Sequence, residues 1–336
     1  MKVGITYDLR DEYLKLGYSE EETAEFDKES TISAIEDTLI ELGHTTERIG
    51  NIWDLSKKLL DGKSWDLVFN IAEGLRGIGR EAQVPALLDA YNIPYTFSDP
   101  LVLALSLHKG MTKRVLRDLG IPTPNFYEVK SIEDIDKVNL EYPLFAKPIA
   151  EGTGKGIHAD SKIKNKAQLE KICKELLLKF NQPVLVEEFL PGREFTIGVV
   201  GTSSKARTVG AMEVLLLTNA EQDVYSYANK ENWVGKVEYK LVNDEVVKKA
   251  EEYVLAAWNG LGCRDAGRVD VRVDRNGIPS IIELNPLAGI HPTNSDLPII
   301  CTLNNISYKT LFTWILESAS ERIIDRSISI KQNKSE

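Results

Sequence analysis

Cysteine and histidine are scarce in this chain, with three of one and four of the other in 336 residues. Cys173, Cys263 and Cys301 are odd in number and far apart. That spacing excludes a disulfide framework and a Cys-x-x-Cys metal site, and it suits a reducing compartment. Positive charge is also in deficit: 41 Lys and Arg stand against 51 Asp and Glu, a net charge of −10. Nucleic-acid binding rests on neutralising phosphates, so that balance argues against it. No apolar run approaches the roughly 20 residues of a membrane span, and Met1 to Tyr7 reads directly as a first strand, leaving no stretch for a secretory signal. What is present is ordinary for a globular protein: 43% hydrophobic and 27% charged residues. The chain is long enough for two or three domains, and the expectation is a cytoplasmic enzyme.

Periodicity divides the chain. The first strand is followed by a polar, acidic stretch from Asp8 to Lys28, expected as a long loop or frayed helix. Ile32, Ile35, Leu39 and Leu42 then recur at helical spacing. Asp66 to Ile71 reads as a buried strand, Arg80 to Ala90 as a helix and Pro94 to Phe97 as a short strand. Alternating strands and helices predict a doubly wound parallel sheet over residues 1–98, with ligands at the carboxyl ends of its strands. Leu101 to Leu119 reads as one helix, closed by Gly120-Ile121-Pro122-Thr123-Pro124. A mixed α/β unit over 99–186 and a larger one over 187–324 follow, and 325–336 reads as a polar, disordered tail.

The most informative segment is Gly267 to Pro286, where Asn276-Gly277 separates two β-rich runs. Asn-Gly favours a type I′ hairpin turn, with positive φ at both central residues. That turn pairs Val273 with Ser280 and Asp270 with Glu283. Alternation then places Arg268, Asp270, Glu283 and Asn285 on one face and Val269, Val271, Val273, Ile282 and Leu284 on the other. Like charges directly opposite each other destabilise a sheet. A divalent cation on hard oxygen ligands would offset the repulsion; two solvated acids on an exposed face is the plainer reading.

Glu151-Gly152-Thr153-Gly154-Lys155-Gly156 follows the strand carrying Lys147. Its backbone can fold over a polyphosphate, although its spacing is neither that of a Walker loop nor that of a dinucleotide fingerprint. A flexible surface loop is an equal reading of it. Val184 to Glu188, the turn at Leu190-Pro191-Gly192 and Glu194 to Val200 read as a hairpin.

In order, Lys109, Lys147, the loop 151–156, Glu187-Glu188-Phe189-Leu190 with Glu194, Arg268-Val269-Asp270 and Glu283-Leu284-Asn285-Pro286 resemble the ATP-grasp enzymes. Within them the chain is most similar to D-alanine–D-alanine ligases, over about residues 1–320. The resemblance implies an ATP-grasp fold with a small central and a larger C-terminal subdomain. It implies a ligase that activates a carboxylate as an acyl phosphate with ATP and Mg2+ (Mn2+ being the alternative) and joins it to an amine. Lys109 and Lys147 match the lysines on the ATP phosphates, with Gly152, Thr153 and Gly154 as the phosphate loop. Glu187, Glu188, Phe189 and Leu190 match the adenine hinge, and Glu194 the ribose-binding glutamate. Lys230 matches a lysine near the γ-phosphate on a mobile loop, 224–233. Asp270, Glu283 and Asn285 match the metal ligands, Arg268 the transition-state arginine and Gly289 an oxyanion-binding N–H. Small-molecule amino-acid or carboxylate partners follow, with a homodimer common among similar enzymes.

Departures cluster at one end. The His-Gly that D-alanine–D-alanine ligases carry after the strand at Phe69 is Glu73-Gly74 here, and their paired serines are Thr153-Gly154. Glu231 stands where a tyrosine usually follows the loop lysine. Glu73 for an ammonium and Arg80 for a carboxylate are therefore the candidates for an altered substrate pocket, an internal ion pair being the other reading. Glu25 and Glu29 are candidates for an amine contact. Ser295 and His291 are candidates for the second substrate's loop. Two alternatives remain: a true D-alanine–D-alanine ligase, and a nucleotide-binding sensor or scaffold without ligase activity.

Overall fold

In the computed structural model, which describes residues 1–216 and 237–332, β1 (Lys2–Thr6), β2 (Thr45–Gly50) and β3 (Leu67–Asn70) form a parallel sheet in the order β2-β1-β3. Every residue of β3 is buried, as a strand covered on both faces requires. Ile32, Ile35 and Leu39 of α2 (Glu29–Glu41) pack with Val3, Ile5 and Phe69. Leu55 and Leu59 of α3 (Ile52–Leu60) pack with Ile49 and Val68 in a separate cluster. The expected strand at Pro94–Phe97 is reduced to one bridge, Val68 to Tyr95.

The acidic stretch is not a frayed loop. It holds α1 (Arg10–Lys15) and turns that bury Thr23 and Phe26, with the Phe26 ring 4.5 Å from that of Tyr13. Buried Asp8 anchors it by accepting from the Tyr13 hydroxyl and from the N–H of Gly74 at 2.8 Å. The turn after β3 is thereby pinned to the end of β1.

After α4 (Gln83–Ala90), the single helix expected over 101–119 is two, α5 (Pro100–Leu107) and α6 (Lys109–Asp118). His108 causes the break: its side chain accepts the Met111 N–H at 3.2 Å and caps α6. The Lys109 N–H, freed from a continuous helix, donates to Ile149 at 3.1 Å. A four-stranded sheet follows in the order β4-β7-β5-β6, from β4 (Phe126–Val129), β5 (Leu144–Pro148), β6 (Lys162–Ile163) and β7 (Val184–Glu188). α7 (Lys166–Phe180) buries Leu169, Ile172 and Leu176 with Leu144, Val184 and Val186.

The largest sheet is antiparallel, in the order β10-β9-β8-β11-β12, from β8 (Glu194–Val200), β9 (Arg207–Leu216), β10 (Val237–Val242), β11 (Ala266–Val273) and β12 (Pro279–Asn285). α8 (Glu245–Leu261) sets fully buried Trp258 among its valines. α9 (Asp296–Leu303) packs on β8 and β9, and α10 (Tyr308–Gln332) returns to the first sheet, where Phe312 stacks on Phe69 at 5.0 Å. The expected tail from Asp325 is helical as far as Gln332.

The β11–β12 hairpin corrects the expected turn. Only Gly277 has positive φ, +81°, and Asp274 pairs with Ile278 around a three-residue loop. The Asp274 side chain accepts the N–H groups of Asn276 and Ile278, each at 2.8 Å, which stabilises that wider turn. Val273 therefore opposes Pro279 and not Ser280. A bulge between Asp270 and Val271 then restores Asp270 opposite Glu283 and Arg268 opposite Asn285. The bulge also rotates β12, so Ile281 enters the core and Ile282 faces a cleft, the reverse of the expected assignment for Ile282.

Candidate active site

That cleft, of about 90 Å³, is lined from both antiparallel sheets by Phe145, Lys147, Glu187, Phe189, Asp270 and Glu283, among others. Lys147 and Glu187 stand on neighbouring strands β5 and β7 and meet at 2.9 Å. Lys113, four residues after Lys109 on α6, reaches the other Glu187 oxygen at 2.8 Å. Burial alone would raise the Glu187 carboxyl, but Lys113 and Lys147 outweigh it and hold it below the usual range. Burial pushes the Lys113 ammonium down to about 8. Phe189 is 7% exposed, with the Lys162 ammonium 4.3 Å and the Arg272 guanidinium 4.9 Å from its ring centre. Arg272 also meets Glu194 at 3.1 Å. The Glu188 N–H donates to Asn125 at 2.9 Å, and Leu190 lines the cleft.

At the inner end, Asp270 accepts from Thr196 at 3.0 Å, from the Asn285 amide at 3.3 Å and from Arg268. The Arg268 Nε lies 3.4 Å from Asp296, and the Lys109 ammonium 3.0 Å from Glu283. The repulsion between the facing carboxylates is thus already offset by cations from other elements. Burial would raise Glu283, yet Lys109, Lys147 and Arg268 overcome it and hold the carboxyl down at about 2. Among the described residues no group of three His, Cys, Asp or Glu is arranged for a metal. The candidate set is two carboxylates and an amide, a hard-oxygen donor set that fits a magnesium-like ion completed by ligand oxygens.

Glu283 also lines a second cavity, of about 270 Å³, together with Arg268, Asn285, Gly289, His291 and Ser295. Gly152 and Thr153 open here and not onto the first cleft, and the Gly152 N–H donates to Glu25. Lys109 donates to the Glu151 carbonyl. Arg80 is buried and engaged, but by Glu25 at 2.8 Å and the Ala150 carbonyl at 2.8 Å, and not by Glu73. Lys155 completes this clamp at 2.7 Å from Glu151 and 3.3 Å from Glu25. Glu29 turns away to Arg48. Gly289 lies so close to Ser295 that a Cβ would sit 2.8 Å from its Oγ. Ser295 accepts the His291 N–H at 3.0 Å, while the His291 ring takes the Thr293 N–H at 3.3 Å. Burial, with Lys28 nearby, lowers the His291 pKa, so its ring is neutral at neutral pH. Lys230 and the loop 224–233 lie outside the described residues.

Sequence reasoning missed Lys113, Asp296 and Glu81, the last of which lines the second cavity. Lys113 had a signal, since a residue four after Lys109 shares its helix face. The other two are brought in only by tertiary packing. Glu187→Gln tests the lysine bracket: two buried ammonium groups lose their shared counter-charge, and the variant should lose about 2 kcal/mol of stability, read by urea unfolding.

The family model described as the D-ala D-ala ligase C-terminus matches residues 115–317. An uncharacterized protein, y4sG, of Sinorhizobium fredii is 32% identical over 269 residues, covering 78% of this chain and 77% of that protein. The D-alanine–D-alanine ligase of Aquifex aeolicus is 31% identical over 290 residues, covering 85% and 93%. Among solved structures, the Bacillus anthracis D-alanine–D-alanine ligase complexed with ATP matches with a TM-score of 0.72 at 21% identity, covering 97% and 99%. The VanG D-Ala:D-Ser ligase of Enterococcus faecalis has the same TM-score at 18% identity, covering 95% and 99%. These structural likenesses speak to the fold.

Proposed function

This chain belongs to the D-alanine–D-alanine ligase family, and on that premise we propose that it is an ATP-dependent ligase joining a carboxylate to the amine of an amino acid. The observation that carries the reading is the face shared by Arg268, Asp270, Glu283 and Asn285. It lies where the first cleft meets the second cavity, and Glu283 borders both.

A carboxylate is a poor electrophile for an amine at neutral pH. Transfer of a phosphoryl group to its oxygen creates a leaving group, and the amine then displaces phosphate. In this reading the cleft takes ATP. Phe189 and Leu190 enclose the base, Glu194 meets the ribose, and Lys109 and Lys147 meet the phosphates. Asp270, Glu283 and Asn285 would hold Mg2+, which when bound neutralises phosphate charge during in-line transfer. Arg268, fixed by Asp270 and Asp296, faces the second cavity and stabilises charge on the carboxylate oxygens as phosphoryl is passed and as the amine adds. Gly289 presents backbone there as a second oxyanion contact. The Glu25–Arg80–Lys155–Glu151 clamp holds the loop at 151–156 against the first-sheet side, where it excludes the water that would hydrolyse an acyl phosphate.

D-Alanine belongs in the test because relatives carry the name D-alanine–D-alanine ligase. Phosphate release should depend on an added amino acid, and mass spectrometry over pairs of D- and L-amino acids should find a conjugate formed with one ADP per bond. Phosphate release that is the same without any amine would leave only an ATPase.

A further inference from the structure

At the end of the second cavity nearest the first sheet, Glu73 and Glu81 are joined by Glu25 and Asp27. Glu25 is spoken for by Arg80 and Lys155, and Asp27 by a hydrogen bond from Thr31. The other cations of the cavity wall are committed too: Arg268 to Asp270 and Asp296, and Arg10 to Glu20. Lys28 is exposed and lies on the His291 side. Among the described residues, the Glu73 and Glu81 carboxylates have no ion pair. Both are densely surrounded by protein, yet each opens onto the cavity. The Glu73 backbone cannot relax away, because Asp8 pins the adjoining Gly74, whose φ is +74°.

From this juxtaposition we propose that the substrate at this end of the site is a basic amino acid, with a side-chain ammonium or guanidinium group, and that Glu73 and Glu81 select it. The proposal rests on the ligase reading and names the substrate class for that same site. One α-ammonium supplies a single positive charge to two enclosed acids; a diamino acid supplies a charge for each. Burying a carboxylate without a partner is costly, and a bound cation removes that cost. The cavity, at about 270 Å³, has room for a side chain of several carbons. Burial, only partly offset by Arg80, raises Glu81 to about 8. Burial together with Glu81, Glu25 and Asp27 raises Glu73 well above the ordinary carboxylate range. Arg80, and for Glu81 also Lys109, act on these acids only from beyond ion-pair distance, and burial outweighs them.

The test compares 2,3-diaminopropionate, ornithine, lysine and arginine with alanine, norvaline and norleucine, in D and L forms. It uses calorimetric binding to the full chain and, separately, phosphate release. A basic member should bind at least tenfold more tightly than its neutral counterpart of similar length, and Glu73→Gln with Glu81→Gln should bring that ratio toward one. Circular dichroism and ATP affinity verify that the variants fold. Neutral amino acids binding as well as basic ones, or a ratio unmoved in the double variant, overturns the proposal. Selective binding of a basic amino acid with no turnover would sink the ligase reading and leave this inference standing. Turnover with neutral amino acids alone would do the reverse.

Discussion

Arg268→Lys should lower kcat on the order of 10³-fold, about 4 kcal/mol of transition-state stabilisation, while KM for ATP changes little. Two different nitrogens of Arg268 hold it in place, one on Asp270 and one on Asp296. A guanidinium can satisfy both carboxylates and still present an edge to the second cavity. An ammonium is a single point donor and would settle on one carboxylate, withdrawing charge from the reacting oxygens. Arg268 does not line the nucleotide cleft, which is why ATP binding should survive. Steady-state kinetics of phosphate release with each substrate varied in turn separate the two parameters. A tenfold rise in KM for ATP with kcat intact would place Arg268 on the nucleotide and contradict its role here.

Asp265→Ala should cost about 3–5 kcal/mol of stability, the range for removing one partner of a buried ion pair. Asp265 is wholly buried and receives Arg322 through two nitrogens at 2.6 and 2.7 Å, Ser318 at 2.7 Å and the Phe97 N–H at 2.7 Å. Arg322 in turn donates to the Tyr95 carbonyl at 2.9 Å. One carboxylate thus ties α10, the segment after the first sheet and the start of β11. Its φ of +63° is a left-handed conformation, tolerated by Asp and Asn far better than by Ala, so the alanine adds strain to the lost contacts. Asp265→Asn keeps the backbone preference and part of the bonding, and should cost less. Urea unfolding followed by circular dichroism measures both, and equal small losses would show that α10 is held by its apolar face alone.

The hairpin shows what could be read in advance and what could not. Asp270 opposite Glu283 was legible, but by way of a two-residue turn that does not form. The Asp274 side chain widens the loop by one residue, and a bulge further along absorbs the shift. Both effects are local backbone chemistry that alternation does not encode. The pairing survived; Ile282 did not keep its expected face, because it is the extra residue of the bulge, between Ile281 opposite Val271 and Glu283 opposite Asp270. Lys147, Glu187, Glu194, Asp270 and Glu283 were named in advance through the order of motifs that the family resemblance supplied, and the fold brings them to one cleft. The clamp was not. Glu25 and Arg80 meet across 55 residues, and periodicity carries no signal for a contact between two irregular segments. Glu73 and Arg80 were read either as two substrate contacts or as an ion pair with each other; Arg80 pairs instead with Glu25.

Activation of the carboxylate by phosphorylation is what separates a ligase at this site from an ATPase. Turnover with a carboxylate substrate labelled with 18O in both oxygens distinguishes the two. One 18O per product bond should appear in the released inorganic phosphate, together with ADP. Unlabelled phosphate, or label carried into AMP, would contradict activation by phosphorylation.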